Sequence, residues 1–259
     1  MMLPSPVLAA PVVAPAATRT FLAEVAHELL ATYDDDTFSD LVVIVPTRRA
    51  VVYLQNELAL ATPDGQALWA PRIAAMEDYL VERAGVQVEE PIALQLLLFD
   101  IFKGIDPELN FDRFVGWSGL LLQDFSNLDQ NLADTKDVFQ YLSEAKALER
   151  WDLDPEHSRT DGLTRYFTFW DQLARVYREL KRRLRAEHLA YPGLAYREAV
   201  RRLQAELRDP QMPSPARHVF VGLGGLSRAE EKFISLLHRA SRAPGKTGRH
   251  RRKYRPARP

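Results

Sequence analysis

The run Leu41-Val-Val-Ile-Val-Pro46 restricts this chain more than any other segment. Its five apolar residues, mostly β-branched, read as a strand buried on both faces, as in a parallel sheet with helices on each side. Thr47-Arg48-Arg49 then leads into a helix with apolar Val51, Val52, Leu54, Leu58 and Leu60. The chain thus opens an α/β layer with a Thr-Arg-Arg turn at the carboxyl end of a strand, where open parallel sheets place their ligands. A hydroxyl, two guanidinium groups and a helix N-terminus suit phosphate, whether of a nucleotide or of a nucleic-acid backbone. A solvated strand-to-helix turn is the alternative.

Length and charge narrow the options. With 259 residues, 46% of them hydrophobic, the chain can bury one large core or two smaller ones. It has no cysteine, which excludes disulfides, zinc-thiolate sites, Fe–S clusters and Cys nucleophiles. That fits a reducing compartment, and a cytoplasmic location is the expectation. The net charge of −1 conceals an asymmetry. Residues 241–259 hold eight Lys and Arg and no acid, so the first 240 residues carry 26 basic and 35 acidic side chains. Any DNA contact must therefore be a local patch rather than a global basic field. Residues 1–18 are rich in Ala, Pro and Val, lack Lys and Arg, and are interrupted by Pro4, Pro6, Pro11 and Pro15. They read as a disordered leader rather than an export signal. No stretch approaches the ~20 apolar residues of a membrane span.

Along the chain, Thr20 is placed to cap a helix over about 21–31, which Asp34-Asp35-Asp36 ends as a solvated turn. Pro71-Arg72-Ile73 leads into a short helix over about 76–83. From about 90 to 207 the pattern is helical almost throughout. Pro91 suits a first helical turn. One long helix over 163–189 places Phe167, Trp170, Leu173, Val176, Tyr177, Leu180 and Leu184 near heptad spacing. Its other face is basic, with Arg175, Arg178, Lys181, Arg182, Arg183 and Arg185. That face, with Arg48 and Arg49, is a candidate to line a groove for single-stranded DNA, since backbone charge dominates such binding, and a solvated helix face is the alternative that the pattern alone favours. Tyr191-Pro192-Gly193 breaks the helix, and another follows over about 194–207. A second buried strand is expected over 218–223. After it, Ser227 and Glu230 form a capping box. The expected plan is α/β, with a leader (1–18), an α/β lobe (19–88), an all-helical insertion (89–209), the rest of the lobe (210–240) and a disordered basic tail (241–259).

Several motifs carry little. Gly245-Lys246-Thr247 follows a helix rather than a strand, so it lacks the setting of a phosphate loop. Carboxylate-x-Lys triplets at Asp134-Thr-Lys136, Glu144-Ala-Lys146 and Glu179-Leu-Lys181, with Asp64 upstream, fall on expected helices or turns. Nuclease carboxylates sit on strands, so that they converge on Mg²⁺. No catalytic residue, cofactor site or metal site is assigned. Gly222-Leu-Gly-Gly225 reads as a tight strand-to-helix turn.

The order of segments resembles the AddB-like proteins of the RecB/AddB helicase-nuclease group, PD-(D/E)XK nuclease family proteins. The stretches that carry the resemblance are Thr20 to Leu30, Val43 to Ala50, Pro71 to Asp78, Phe114 to Trp117, Leu121 to Phe125 with Asp129, Phe169-Trp170, Leu189 to Arg197, and Val219 to Glu231. The resemblance implies a helicase-like, P-loop NTPase-type parallel-sheet lobe without a phosphate loop, with a large helical insertion. It implies double-strand break processing and recombinational repair, with DNA and a helicase subunit as partners and no membrane. Thr47, Arg48 and Arg49 then correspond to a segment contacting single-stranded DNA, and Arg178 and Arg182 extend that surface. Mg²⁺ is expected only for the family's downstream nuclease domain. The resemblance stops near Leu237, so a truncated or frameshifted product without that domain is expected, with open sheet edges and poor solubility. A stand-alone adaptor that binds protein partners is the alternative.

Overall fold

The computed structural model describes residues 19–33, 35–63, 69–142, 161–209 and 216–241. The expected leader, basic tail, phosphate-loop-like stretch and the Glu144 triplet lie outside the described residues. The central strand β1 (Leu41–Val45) is buried at every position. It lies between β2 (Arg72–Ala75) and β5 (Arg217–Phe220), parallel to both. The reason for its unbroken apolar run is visible in the packing. Leu41, Val43 and Val45 join one core and Val42 and Ile44 the other, because successive strand side chains point to opposite faces.

The first core is formed with α1 (Phe21–Thr32), α2 (Asp35–Phe38) and α3 (Arg48–Ala61), through Ala26, Leu29, Phe38, Leu54 and Leu58. Thr20 caps α1 and Thr47 caps α3, each accepting a backbone N–H at 3.2 Å. On α3 only half of the expected stripe is used. Leu54 and Leu58 are buried, whereas Val52 and Leu60 are exposed, because α3 packs on α1 and β2 along one narrow face.

The opposite face carries α4 (Met76–Ala84), α8 (Pro192–Glu206) and α9 (Arg228–Ala240). The same core continues into α5 (Pro91–Lys103), α6 (Phe111–Gln130) and α7 (Asp161–Ala186). Residues 135–142 are also helical. The helical segment therefore shares its core with the sheet rather than closing one of its own. A ring cluster of Phe99, Phe102, Phe111, Phe114 and Trp117 joins α5 to α6. Among the described residues the chain is mixed α/β and mostly helical, with a small parallel sheet.

Four local expectations change. Arg72–Ala75 is a strand, not a lead-in to helix, because pairing with Val42–Val45 supplies the order its short, Ala-rich sequence lacks. The long helix stops at Ala186, and Leu189–Ala190 forms β4, paired in parallel with β3 (Gln87–Val88). The strand at 217–220 is shorter and less buried than expected, since only β1 flanks it among the described residues. Asp35 and Asp36 open α2 rather than a turn.

One glycine is dictated by contact. A Cβ on Gly193 would lie 1.9 Å from the Ser126 carbonyl oxygen. The start of α8 thus presses directly on the backbone of α6, and the Gly193 N–H donates to Ser126 Oγ at 2.9 Å. Among the described residues no helix is long and apolar enough to cross a membrane.

Candidate nucleic-acid interface

The carboxyl ends of β1, β2 and β5 converge, as parallel strands require. Helix α3 leaves β1 toward one face of the sheet and α9 follows β5 on the other, so their turns flank a topological switch point. The expected ligand groups there are already engaged. The Thr47 hydroxyl is taken up by the cap on Ala50 N–H. Arg48 donates from Nε to both oxygens of Asp78 at 3.0 and 2.8 Å, and from NH2 to Oδ1 at 2.5 Å. That hydrogen-bonded pairing raises the Arg48 pKa and lowers that of Asp78. Ser227 and Glu230 close the N-terminus of α9 as the expected capping box. Gly222 turns the chain at φ +63, with the Phe21 ring 3.2 Å from where a Cβ would sit. Of the Thr-Arg-Arg turn, Arg49 is exposed and has no ion pair among the described residues.

The second expected set lies on α7, whose buried face carries Leu173, Val176, Tyr177, Leu180 and Leu184. Lys181, expected on the exposed basic face, is buried instead. It meets Asp129 of α6, a fully buried carboxylate. Lys181 Nζ donates to Asp129 Oδ1 at 2.7 Å and to the Tyr177 hydroxyl at 2.7 Å, and Tyr177 donates to the same Oδ1 at 2.7 Å. Tyr191 donates to Asp129 Oδ2. Arg197 Nε lies against Oδ1 without the alignment of a hydrogen bond. Three donors and a second cation alongside are how this buried carboxylate is compensated, because an unpaired charge there is prohibitive. Burial, then the Asp129 charge, raises both tyrosine pKa values, so both hydroxyls stay protonated donors. Burial lowers the Lys181 pKa, and Asp129 opposes that shift.

Arg197 also fixes the end of α6. Its guanidinium donates to the carbonyls of Leu128 and Ala133 at 3.2 and 2.8 Å. Between them Leu132 adopts φ +51, and Ala133 N–H reaches back to Leu128 O. This is a Schellman-type stop made without glycine.

On the outer side of this network lies a hollow of about 450 Å³, lined by Thr135, Tyr177, Arg178, Lys181, Arg182 and Arg185. Arg178 and Arg182 both line it. They do not meet Arg48, which lines a separate hollow of about 290 Å³ beside β2. The carboxylates on the α7 side are shared. Asp129 serves Lys181 and Arg197, Glu179 serves Arg182 and Arg183, and Glu198 serves Arg185 and Arg201. Asp100 meets Arg183 a second time. With Arg178, which has no carboxylate partner among the described residues, seven cations stand against four carboxylates.

Reading the chain alone missed Lys181 as a buried group, Tyr177 as its partner and Thr135 as a lining residue. One signal was present: Asp129 falls four residues after Phe125 on the apolar stripe of α6, where a carboxylate needs buried partners. Among the described residues no cluster of His, Asp and Glu is placed to hold a metal ion. Compared with known proteins, neither a family model nor a curated protein matches this chain.

Proposed function

We propose that this chain supplies sequence-independent contact with single-stranded DNA, and scaffolding, within a helicase-nuclease of the AddB-like type acting in double-strand break processing. The observation that carries the reading is the charge surplus of the ion-pair network that joins α7 to α5, α6 and α8, seven cations against four carboxylates, beside an open hollow in a chain whose first 240 residues are acidic. A phosphate backbone is the polymer that such a local surplus attracts. The resemblance in segment order supports the repair setting, with Mg²⁺ and the nuclease chemistry assigned to other parts of such an assembly and a helicase subunit as partner. The contact moves from Arg48, held by Asp78, to Arg178, which has no carboxylate partner among the described residues, and to its neighbour Arg182, whose partner Glu179 is shared with Arg183. Arg49 and Thr47 are secondary.

The test is fluorescence anisotropy of a labelled thirty-residue oligo-dT across a salt series. Single-strand binding loses about 0.7 in log K per log salt for each phosphate neutralised, so Arg178→Ala/Arg182→Ala is expected to shallow the slope by about 1.4. No binding at low salt, or an unchanged slope in the variant, would overturn the reading. A non-catalytic adaptor for a protein partner is the second reading, supported by exposed Val52, Tyr53 and Leu60 on α3 and by Trp69. It predicts no DNA affinity even at low salt.

A further inference from the structure

The hollow over α7 has a floor as well as walls. The Lys181 ammonium has three hydrogens. Asp129 and the Tyr177 hydroxyl take two of them, each at 2.7 Å. The third is left for whatever enters the hollow that Lys181 lines. The aromatic ring of Tyr177, 4.5 Å from Nζ, holds the ammonium in place. Around it, Arg178, Arg182 and Arg185 project from the same helical face at spacings of four and three residues, and Thr135 adds a hydroxyl. The neighbouring acid, Asp134, is turned away onto the amides of Lys136 and Asp137.

Size and charge select the occupant. About 450 Å³ is at the small end of ligand sites and suits one compact group with part of a sugar. An internal phosphodiester brings one negative charge. A phosphate monoester brings close to two at neutral pH and three acceptor oxygens, enough to engage the Arg178 guanidinium and the third Lys181 hydrogen together. We infer that this hollow seats a terminal phosphate monoester, with Lys181 as its floor and Arg178, Arg182 and Arg185 as its walls, and that the group is the phosphorylated end of a DNA strand. The choice of a strand end as the source rests on the proposed function. The seat itself does not.

The experiment compares a 5′-phosphorylated fifteen-residue oligo-dT with its 5′-hydroxyl twin by anisotropy. In parallel, melting temperatures are measured in inorganic phosphate and in chloride at equal ionic strength, and thymidine monophosphate is used as a competitor. One additional charge-assisted hydrogen bond predicts roughly tenfold tighter binding of the phosphorylated strand. Lys181→Met is expected to bring the ratio to about one. Because that change leaves Asp129 short of a cation, Arg178→Gln keeps the test readable. The Arg178 Nε donates to the Ala174 carbonyl at 3.1 Å, so its loss disturbs no ion pair among the described residues. Equal affinity of the two strands with no phosphate-specific rise in melting temperature overturns the seat. Competition by thymidine monophosphate without strand preference keeps the seat and reassigns it to a free nucleotide. Phosphate stabilisation with no oligonucleotide binding keeps the seat and sinks the proposed function.

Discussion

Asp129→Asn tests the centre of the helical part with almost no change in shape. The carboxylate is fully buried and receives Tyr177, Lys181 and Tyr191, with Arg197 alongside. Replacing it with an amide keeps one acceptor oxygen and turns the other into a donor facing a tyrosine hydroxyl. Two cations then lose their only buried counter-charge. Hydrogen bonds to a charged group contribute about 1.5–3 kcal/mol each. Their sum overstates the effect, because the tyrosine hydroxyls can rotate to accept. Breaking a buried ion pair by removing one partner costs about 3–5 kcal/mol, which is the expected range here. For a chain of this size that corresponds to roughly 6–20 °C in melting temperature. Urea unfolding followed by circular dichroism measures it. Pairing the change with Lys181→Met should recover part of the loss, since the second substitution removes one of the orphaned cations. A loss below about 1 kcal/mol for Asp129→Asn, or losses that simply add in the double variant, would refute the coupled network.

Other consequences are equally concrete. Gly193→Ala places a methyl 1.9 Å from the Ser126 carbonyl oxygen and should cost about 3 kcal/mol, at the upper end of overpacking, read from the urea midpoint. His218 Nε2 shares a hydrogen bond of 2.6 Å with the Tyr79 hydroxyl, and burial, with Arg83 and Arg72, lowers its pKa below 6.5 despite a bond to the Ala216 backbone. The unfolded chain therefore binds the extra proton first as pH falls. Stability should be flat above about pH 7 and decline below 6.5 until the folded pKa is passed, and His218→Gln should flatten that limb in melting temperatures taken from pH 7.5 to 5. Arg48→Ala breaks a highly exposed pair, so the melting temperature should stay within experimental scatter, and the salt slope of DNA binding should stay near wild type while Asp78 holds the guanidinium in the parent chain.

Much of the framework was legible because its signals are local. The Thr20 cap, Pro91 at the first turn of α5, the Ser227–Glu230 capping box and the buried run of β1 each depend on residues within one turn or one strand. Strand β2 was illegible because Arg72-Ile-Ala-Ala has no periodicity of its own and becomes a strand by register with Val42–Val45. The two-residue pair β3 and β4 joins segments about a hundred positions apart and leaves no pattern in either. The candidate site divided in the same way. Arg178 and Arg182 were found from helical spacing, but Lys181 sits in the same spacing and is buried, because Asp129 arrives from another helix.

The amino-acid sequence by itself marked most of the helices and the central buried strand, the lack of any cysteine ligand in this chain, and the gathering of cations on one helix of an otherwise acidic chain. Tertiary structure decided which of those cations are available. Arg48 is paired with Asp78, Lys181 is drawn inward by Asp129 and Tyr177, Arg182 shares Glu179 with Arg183, and Arg178 keeps no carboxylate partner among the described residues. The reason is physical. Helical and strand preferences act over a few residues, whereas a charge is neutralised by whatever carboxylate the fold brings within about 3 Å, and here those carboxylates come from 30 and 52 positions away.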